Sequence, residues 1–229
     1  MGTLRIRLVS SLAIVTLATL AGRPAEAGTQ TILGEKLLVK GAADGSGQRK
    51  VFVSASVTPS AGAKLVGDPT ASGATLRLIT RSPSRSYDRT IELPKDGWSV
   101  APGIRPEDGK SYQFRSDRDG AIWFVWIGTT SSTTPGTPGP FKIKIKLYDD
   151  PSVDVLAPDP GTEGGVILTL GGGDRYCVAF GGAAGGAIEA NHAKTFAVRA
   201  PTAKGCPDVP SAVRITPSPT PRPAATGPG

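Results

Sequence analysis

One histidine, two cysteines and a run of acids between residues 149 and 163 are the residues of this 229-residue chain that could do chemistry. Ser-His-Asp hydrolysis needs an imidazole to take the nucleophile's proton. The only candidate is His192, in Asn191-His192-Ala193-Lys194 after a glycine-rich stretch. No Gly-x-Ser-x-Gly elbow accompanies it, so His192 reads as a polar residue on an exposed loop. Zinc needs a ligand set that a lone histidine cannot complete. Asp149, Asp150, Asp154, Asp159 and Glu163 are oxygen ligands of the kind calcium uses, but their spacing matches no EF-hand, and the prolines and glycines between them describe a solvated connector. Glycoside hydrolysis needs two carboxyls facing each other across a cleft, and the sequence singles out no pair. The glycine runs at 171–173 and 181–186 lack the Lys-Ser/Thr of a phosphate loop and the βαβ setting of a dinucleotide fold, which leaves them as turns. The expectation is a non-enzymatic protein with no cofactor and no metal.

The cysteines carry a different message. The N-terminus has a short basic stretch with Arg5 and Arg7, an apolar run over 8–21, and Ala25-Glu26-Ala27 with small residues where a signal peptidase inspects. The run is shorter than the roughly 20 residues of a membrane-spanning helix, and Gly22, Arg23 and Pro24 end it. Residues 1–27 are therefore expected to be a cleaved signal peptide, and the product to be secreted, in the periplasm, at the cell surface or beyond it, with no transmembrane segment left. In an oxidising compartment Cys177 and Cys206 are expected to form one disulfide, worth roughly 3 to 4 kcal/mol in the chain-entropy model. The chain has 26 Lys and Arg against 19 Asp and Glu. This mild excess is spread along the sequence, and together with export it argues against a nucleic-acid partner.

Two features are suited to binding. Ile122-Trp123-Phe124-Val125-Trp126-Ile127 is apolar at every position, so in a regular strand Trp123 and Trp126 point to opposite sides. Either one tryptophan is exposed to stack on a sugar ring or a partner, or the strand is buried between two layers, which is the preferred reading. Lys142, Lys144 and Lys146 form a basic stripe suited to anionic polysaccharide or lipid. Edge lysines that discourage sheet-to-sheet aggregation explain them equally, and that reading is preferred here.

These residues must be positioned by strands. Helical periodicity is scarce, and short alternating stretches recur between clusters of Gly, Pro, Ser and Asp. Residues 141–147 are the clearest, with apolar odd positions and lysines at the even ones. Further strands are expected at 36–40, 50–57, 74–80, 87–93, 112–115, 121–127, 166–170, 176–180 and 195–199. Glycine-, proline- and aspartate-rich links at 81–85, 117–120 and 170–175 predict hairpins in series. The fold class is all-β, an antiparallel β-sandwich over 28–209, as one contiguous unit or two packed halves with an internal boundary near 150–163. Residues 131–140 read as an extended surface loop, and the Pro/Thr-rich stretch 210–229 as a disordered tail.

Lys36-Leu37-Leu38-Val39-Lys40, the stretch 73–78, Leu93-Pro94-Lys95-Asp96-Gly97-Trp98 and Arg175-Tyr176-Cys177 with Phe180-Gly181-Gly182, followed by Cys206-Pro207, resemble a broad class of uncharacterised exported bacterial β-sheet proteins. The Arg-Tyr-Cys-x-x-Phe-Gly-Gly stretch is the most specific part. The resemblance spans most of 34–207. It implies a secreted β domain and brings no activity, cofactor or catalytic residue. The functional expectation is a secreted structural or adhesive module whose partner the sequence does not specify, with envelope polysaccharide and another exported protein as the candidates. The alternative is a carbohydrate-binding module using Trp123 or Trp126 with the Lys142, Lys144 and Lys146 stripe.

Overall fold

The computed structural model describes residues 27–41, 49–58, 62–83, 86–102, 110–118, 121–132, 137, 139–148 and 160–208. All of the expected leader 1–27 but Ala27, the acids Asp149, Asp150, Asp154 and Asp159, and the expected tail 210–229 lie outside the described residues.

Two sheets pack face to face. The strands are β1 Thr29–Thr31, β2 Gly34–Lys40, β3 Lys50–Val57, β4 Ala74–Arg81, β5 Ser86–Leu93, β6 Trp98–Val100, β7 Ser111–Arg118, β8 Ala121–Thr129, β9 Phe141–Tyr148, β10 Glu163–Leu170, β11 Arg175–Gly181, β12 Ala187–His192 and β13 Thr195–Arg199, with a single helical turn, α1, at Pro69–Ser72. One sheet has the order β1-β11-β10-β4-β5, the other β12-β13-β2-β3-β9-β8-β7-β6. Every pairing is antiparallel except β1 with β11. The ten strands expected from alternation are all present. The three additional ones are β1 and β6, each of three residues, and β12, which is exposed almost throughout and so has no apolar rhythm to read.

Alternation explains the core. In β9, Phe141, Ile143, Ile145 and Leu147 are buried while Lys142 and Lys144 are exposed. Across the register, Val51, Val53, Ala55 and Val57 of β3 turn the same way. They meet Leu76, Leu78, Val166, Leu168, Val178 and Phe180 of the other sheet in one hydrophobic cluster running from Ile32 to Val198. Each such side chain contributes about 1.5 to 3 kcal/mol through burial. Tyr176 closes one end of this core. Its fully buried ring stacks on Phe141, and its hydroxyl accepts from the Val66 amide at 2.7 Å and donates to the Lys64 carbonyl at 2.9 Å. Burial pushes the phenol up to about 12.

The three expected hairpins are present as β4–β5, β7–β8 and β10–β11. In the last, Gly172 takes the positive φ of +67° that its turn needs. Cys177 and Cys206 are bonded. Cys177 faces away from the main core and forms a small buried cluster with Ile79 and Ile167 on the outer side of the five-stranded sheet. Residues 204–208 lie across this cluster as a strap. Gly205 sits over Ala179, a side chain at Gly165 would meet Pro207, and Arg81 donates to the Asp208 carbonyl at 2.7 Å.

Candidate ligand-binding face

The strap covers part of one outer face, whereas among the described residues the main contacts between elements set no other element over the outer face of the eight-stranded sheet. That face is built by register. The inward positions of β8 are Trp123, Val125 and Ile127, so Phe124 and Trp126 look outward. The partners of Trp126 across the neighbouring strands are Lys144 of β9 and Gln113 of β7. Those of Phe124 are Lys146 and Arg115. One strand further, Lys144 lies opposite Ser54 and Lys146 opposite Phe52 of β3, while Tyr148 lies opposite Lys50. Beyond them come Lys36, Leu38 and Lys40 of β2.

The result is a checkerboard of rings and cations. Phe52, Phe124, Trp126 and Tyr148 are each half-buried, and each has a cation directly opposite on an adjacent strand. The Lys50 ammonium sits 4.9 Å from the Tyr148 ring centre, the Arg115 guanidinium 5.6 Å and the Lys146 ammonium 6.0 Å from that of Phe124. Such contacts are worth about 0.5 to 1 kcal/mol each at exposed sites and hold the long side chains near the rings. None of Lys36, Lys40, Lys50, Lys142, Lys144, Lys146 and Arg115 forms an ion pair among the described residues. Arg199, in the row of Trp126, pairs with Glu189 at 2.8 Å at the β12 edge.

This arrangement revises two preferred readings. The lysine stripe is not edge protection, because β9 is the fifth of eight strands and lies between β3 and β8. Nor is the tryptophan strand buried between two layers, because only its inner face meets the core. The two tryptophans separate as their parity requires. Trp126 joins the lysines on the outer face, whereas Trp123 packs against the core with its indole N–H buried and without a hydrogen-bond partner. The positive charge, dispersed in sequence, is gathered by the sheet. Phe52, Phe124, Tyr148, Lys36, Lys40, Lys50 and Arg115 were not singled out from the sequence. For Phe52 the signal was nonetheless present, because it shares the parity of Lys50, Ser54 and Ser56, whereas Phe124 lies in a strand that is apolar at every position and shows no alternation.

The remaining candidates are scattered. His192 is exposed at the end of β12. Glu163 begins β10 and pairs with Arg81 at 3.2 Å. Gly171 and Gly173 form the β10–β11 turn, and Gly181, Gly182, Gly185 and Gly186 shape the loop before β12 with positive φ angles. Beside the strap, Ile79, Ala179, Phe180 and Pro207 line a cleft of about 90 Å³ that contains no histidine and no free thiol. Among the described residues no three of His, Cys, Asp and Glu gather into a group that could hold a metal ion, and no helix is long and apolar enough to cross a membrane.

Compared with known proteins, the chain matches no family model, no curated protein and no solved structure. The resemblance to exported bacterial β proteins thus has the quoted residues as its only support.

Proposed function

We propose that this protein is a secreted, non-enzymatic adhesive module that holds extracellular polysaccharide on the outer face of its eight-stranded sheet. The observation that carries this reading is the checkerboard, over which no described element lies and in which half-buried Phe52, Phe124, Trp126 and Tyr148 offer flat apolar rings framed by lysines. Half-buried aromatic rings on a sheet face suit the apolar faces of sugar rings, which stack without a deep pocket. The leader pattern and the Cys177–Cys206 bond support export. A lone histidine, His192, and a sequence without a Gly-x-Ser-x-Gly elbow support a binding role over hydrolysis.

The test is affinity electrophoresis through gels carrying envelope polysaccharide. Trp126→Ala is expected to lose about tenfold or more in retention, the size of effect typical of a central aromatic contact. Trp123→Phe is expected to keep wild-type retention, because Trp123 faces the core. Equal retention of wild type and Trp126→Ala, with both folded, would remove the support for this reading.

A further inference from the structure

We infer that the polymer bound on this face is an acidic polysaccharide, with carboxylate or sulfate groups on its sugar rings, and that the sugars stack on Phe124 and Trp126 while Lys144, Lys146 and Arg115 take the acids. This inference rests on the polysaccharide reading above and adds the chemical class of the ligand.

The spacing carries it. Phe124 and Trp126 are two residues apart on β8, about 6.7 Å along the strand, and the flanking strands lie about 4.8 Å to either side. A sugar ring on either aromatic therefore has a cation one strand away, at the reach of an acid attached directly to that ring. Lys146 and Arg115 stand on opposite sides of Phe124, and Lys144 and Gln113 on opposite sides of Trp126. An acid on a sugar above Phe124 meets a cation on either edge, and above Trp126 it meets one on the β9 side.

What the two rows lack points the same way. A neutral glycan is usually oriented by amides and carboxylates that bond its hydroxyls. Among the described residues in register with Phe124 and Trp126 there is no carboxylate and the only side-chain amide is Gln113; Glu189 and Glu35 sit in bulges of β12 and β2, the first paired with Arg199 and the second accepting from the Ser56 hydroxyl. Lys144, Lys146 and Arg115, which form no ion pair among the described residues, favour a ligand that brings the opposite charge. Single-stranded nucleic acid also combines flat rings with negative charge, but its phosphates are separated from the bases by the sugar rather than attached to the stacking ring, and the export reading argues against it.

The experiment uses the full mature chain and four probes: polygalacturonate, a sulfated galactan, neutral dextran and a single-stranded oligodeoxynucleotide. Affinity is followed by tryptophan fluorescence at several salt concentrations. At least one acidic polysaccharide is expected to bind at least tenfold tighter than dextran, with log affinity falling linearly with log salt. Lys144→Gln and Lys146→Gln are each expected to weaken that binding about twofold to fivefold, the range of exposed ion pairs, and to lower the salt slope by up to about one. A surface lysine on the other sheet face, Lys204, serves as control and is expected to change neither. If dextran binds as tightly as the acidic polymers, or the slopes do not respond to the lysine variants, the acidic class is refuted while the polysaccharide reading survives. If no polysaccharide binds, both fail. Tighter binding of the oligonucleotide than of either acidic polymer overturns the inference in favour of nucleic acid.

Discussion

Replacing both Cys177 and Cys206 with alanine removes a cross-link between residues 29 apart and releases the strap from the five-stranded sheet. In the chain-entropy model, opening a loop of that length lowers stability by about 3.6 kcal/mol. The strap itself adds to this, because Ile79 and Ile167 are only 1% and 3% exposed beneath it, and lifting it returns part of their surface to water. For a domain of this size each kcal/mol corresponds to roughly 2 to 4 °C in Tm. The double variant is therefore expected to melt about 7 to 14 °C lower. Circular dichroism melts of the oxidised protein, the protein in thiol reductant and the double variant provide the assay. The last two should coincide, and reductant should not shift the double variant further. Because the disulfide lies on the sheet opposite the checkerboard, polysaccharide retention at 25 °C should be unchanged. A loss of less than about 3 °C would refute the reasoning, since it would mean that the loop is already restricted in the unfolded chain or that the strap contributes nothing.

Two other perturbations test the frame around the face. Tyr176 holds its proton to about 12 in the folded protein but gives it up near 10 when unfolded. The folded state therefore binds more protons between those values, and stability falls as pH rises through that window, by about 2 to 3 kcal/mol in total. Chemical denaturation at pH 9 and pH 11.5 should show about 2 kcal/mol of that loss, and Tyr176→Phe should lack it. Trp123→Phe removes a buried indole N–H that has no partner. Its stability should stay within about 1 kcal/mol of wild type and tend upward, and a loss beyond about 2 kcal/mol by urea denaturation would show that the indole fills space the smaller ring leaves empty.

The strands were legible because burial on one side imprints a period of two. Phe141 to Leu147 declares its two faces at once, and Val51, Val53, Ala55 and Val57 do so nearly as clearly. What stayed hidden was the order of the strands. Alternation says which side a residue faces but not which strand lies beside it, so Lys36, Lys50, Arg115 and Lys144 looked dispersed until the order β2-β3-β9-β8-β7 brought them onto one surface. The same gap made β9 look like an edge. Strand β12 escaped notice for the opposite reason, because an exposed edge buries too little to mark its sequence. The disulfide needed no geometry, since the chain contains only two cysteines. The candidate face was half visible. Trp126 and the three lysines were marked by pattern, whereas Phe52 showed only as an aromatic residue on a side that alternation gives to water, and Phe124 lay in a strand without alternation.

The most direct measurement is to titrate the isotopically labelled protein spanning residues 28–229 with oligogalacturonate and follow its amide and indole resonances. The shifts should concentrate at Phe124, Trp126, Lys144, Lys146 and Arg115, with the Trp126 indole moving and that of Trp123 staying still. Shifts confined to the strap and the cleft around Ala179 and Pro207, with β8 and β9 silent, would contradict the assignment of ligand binding to this face.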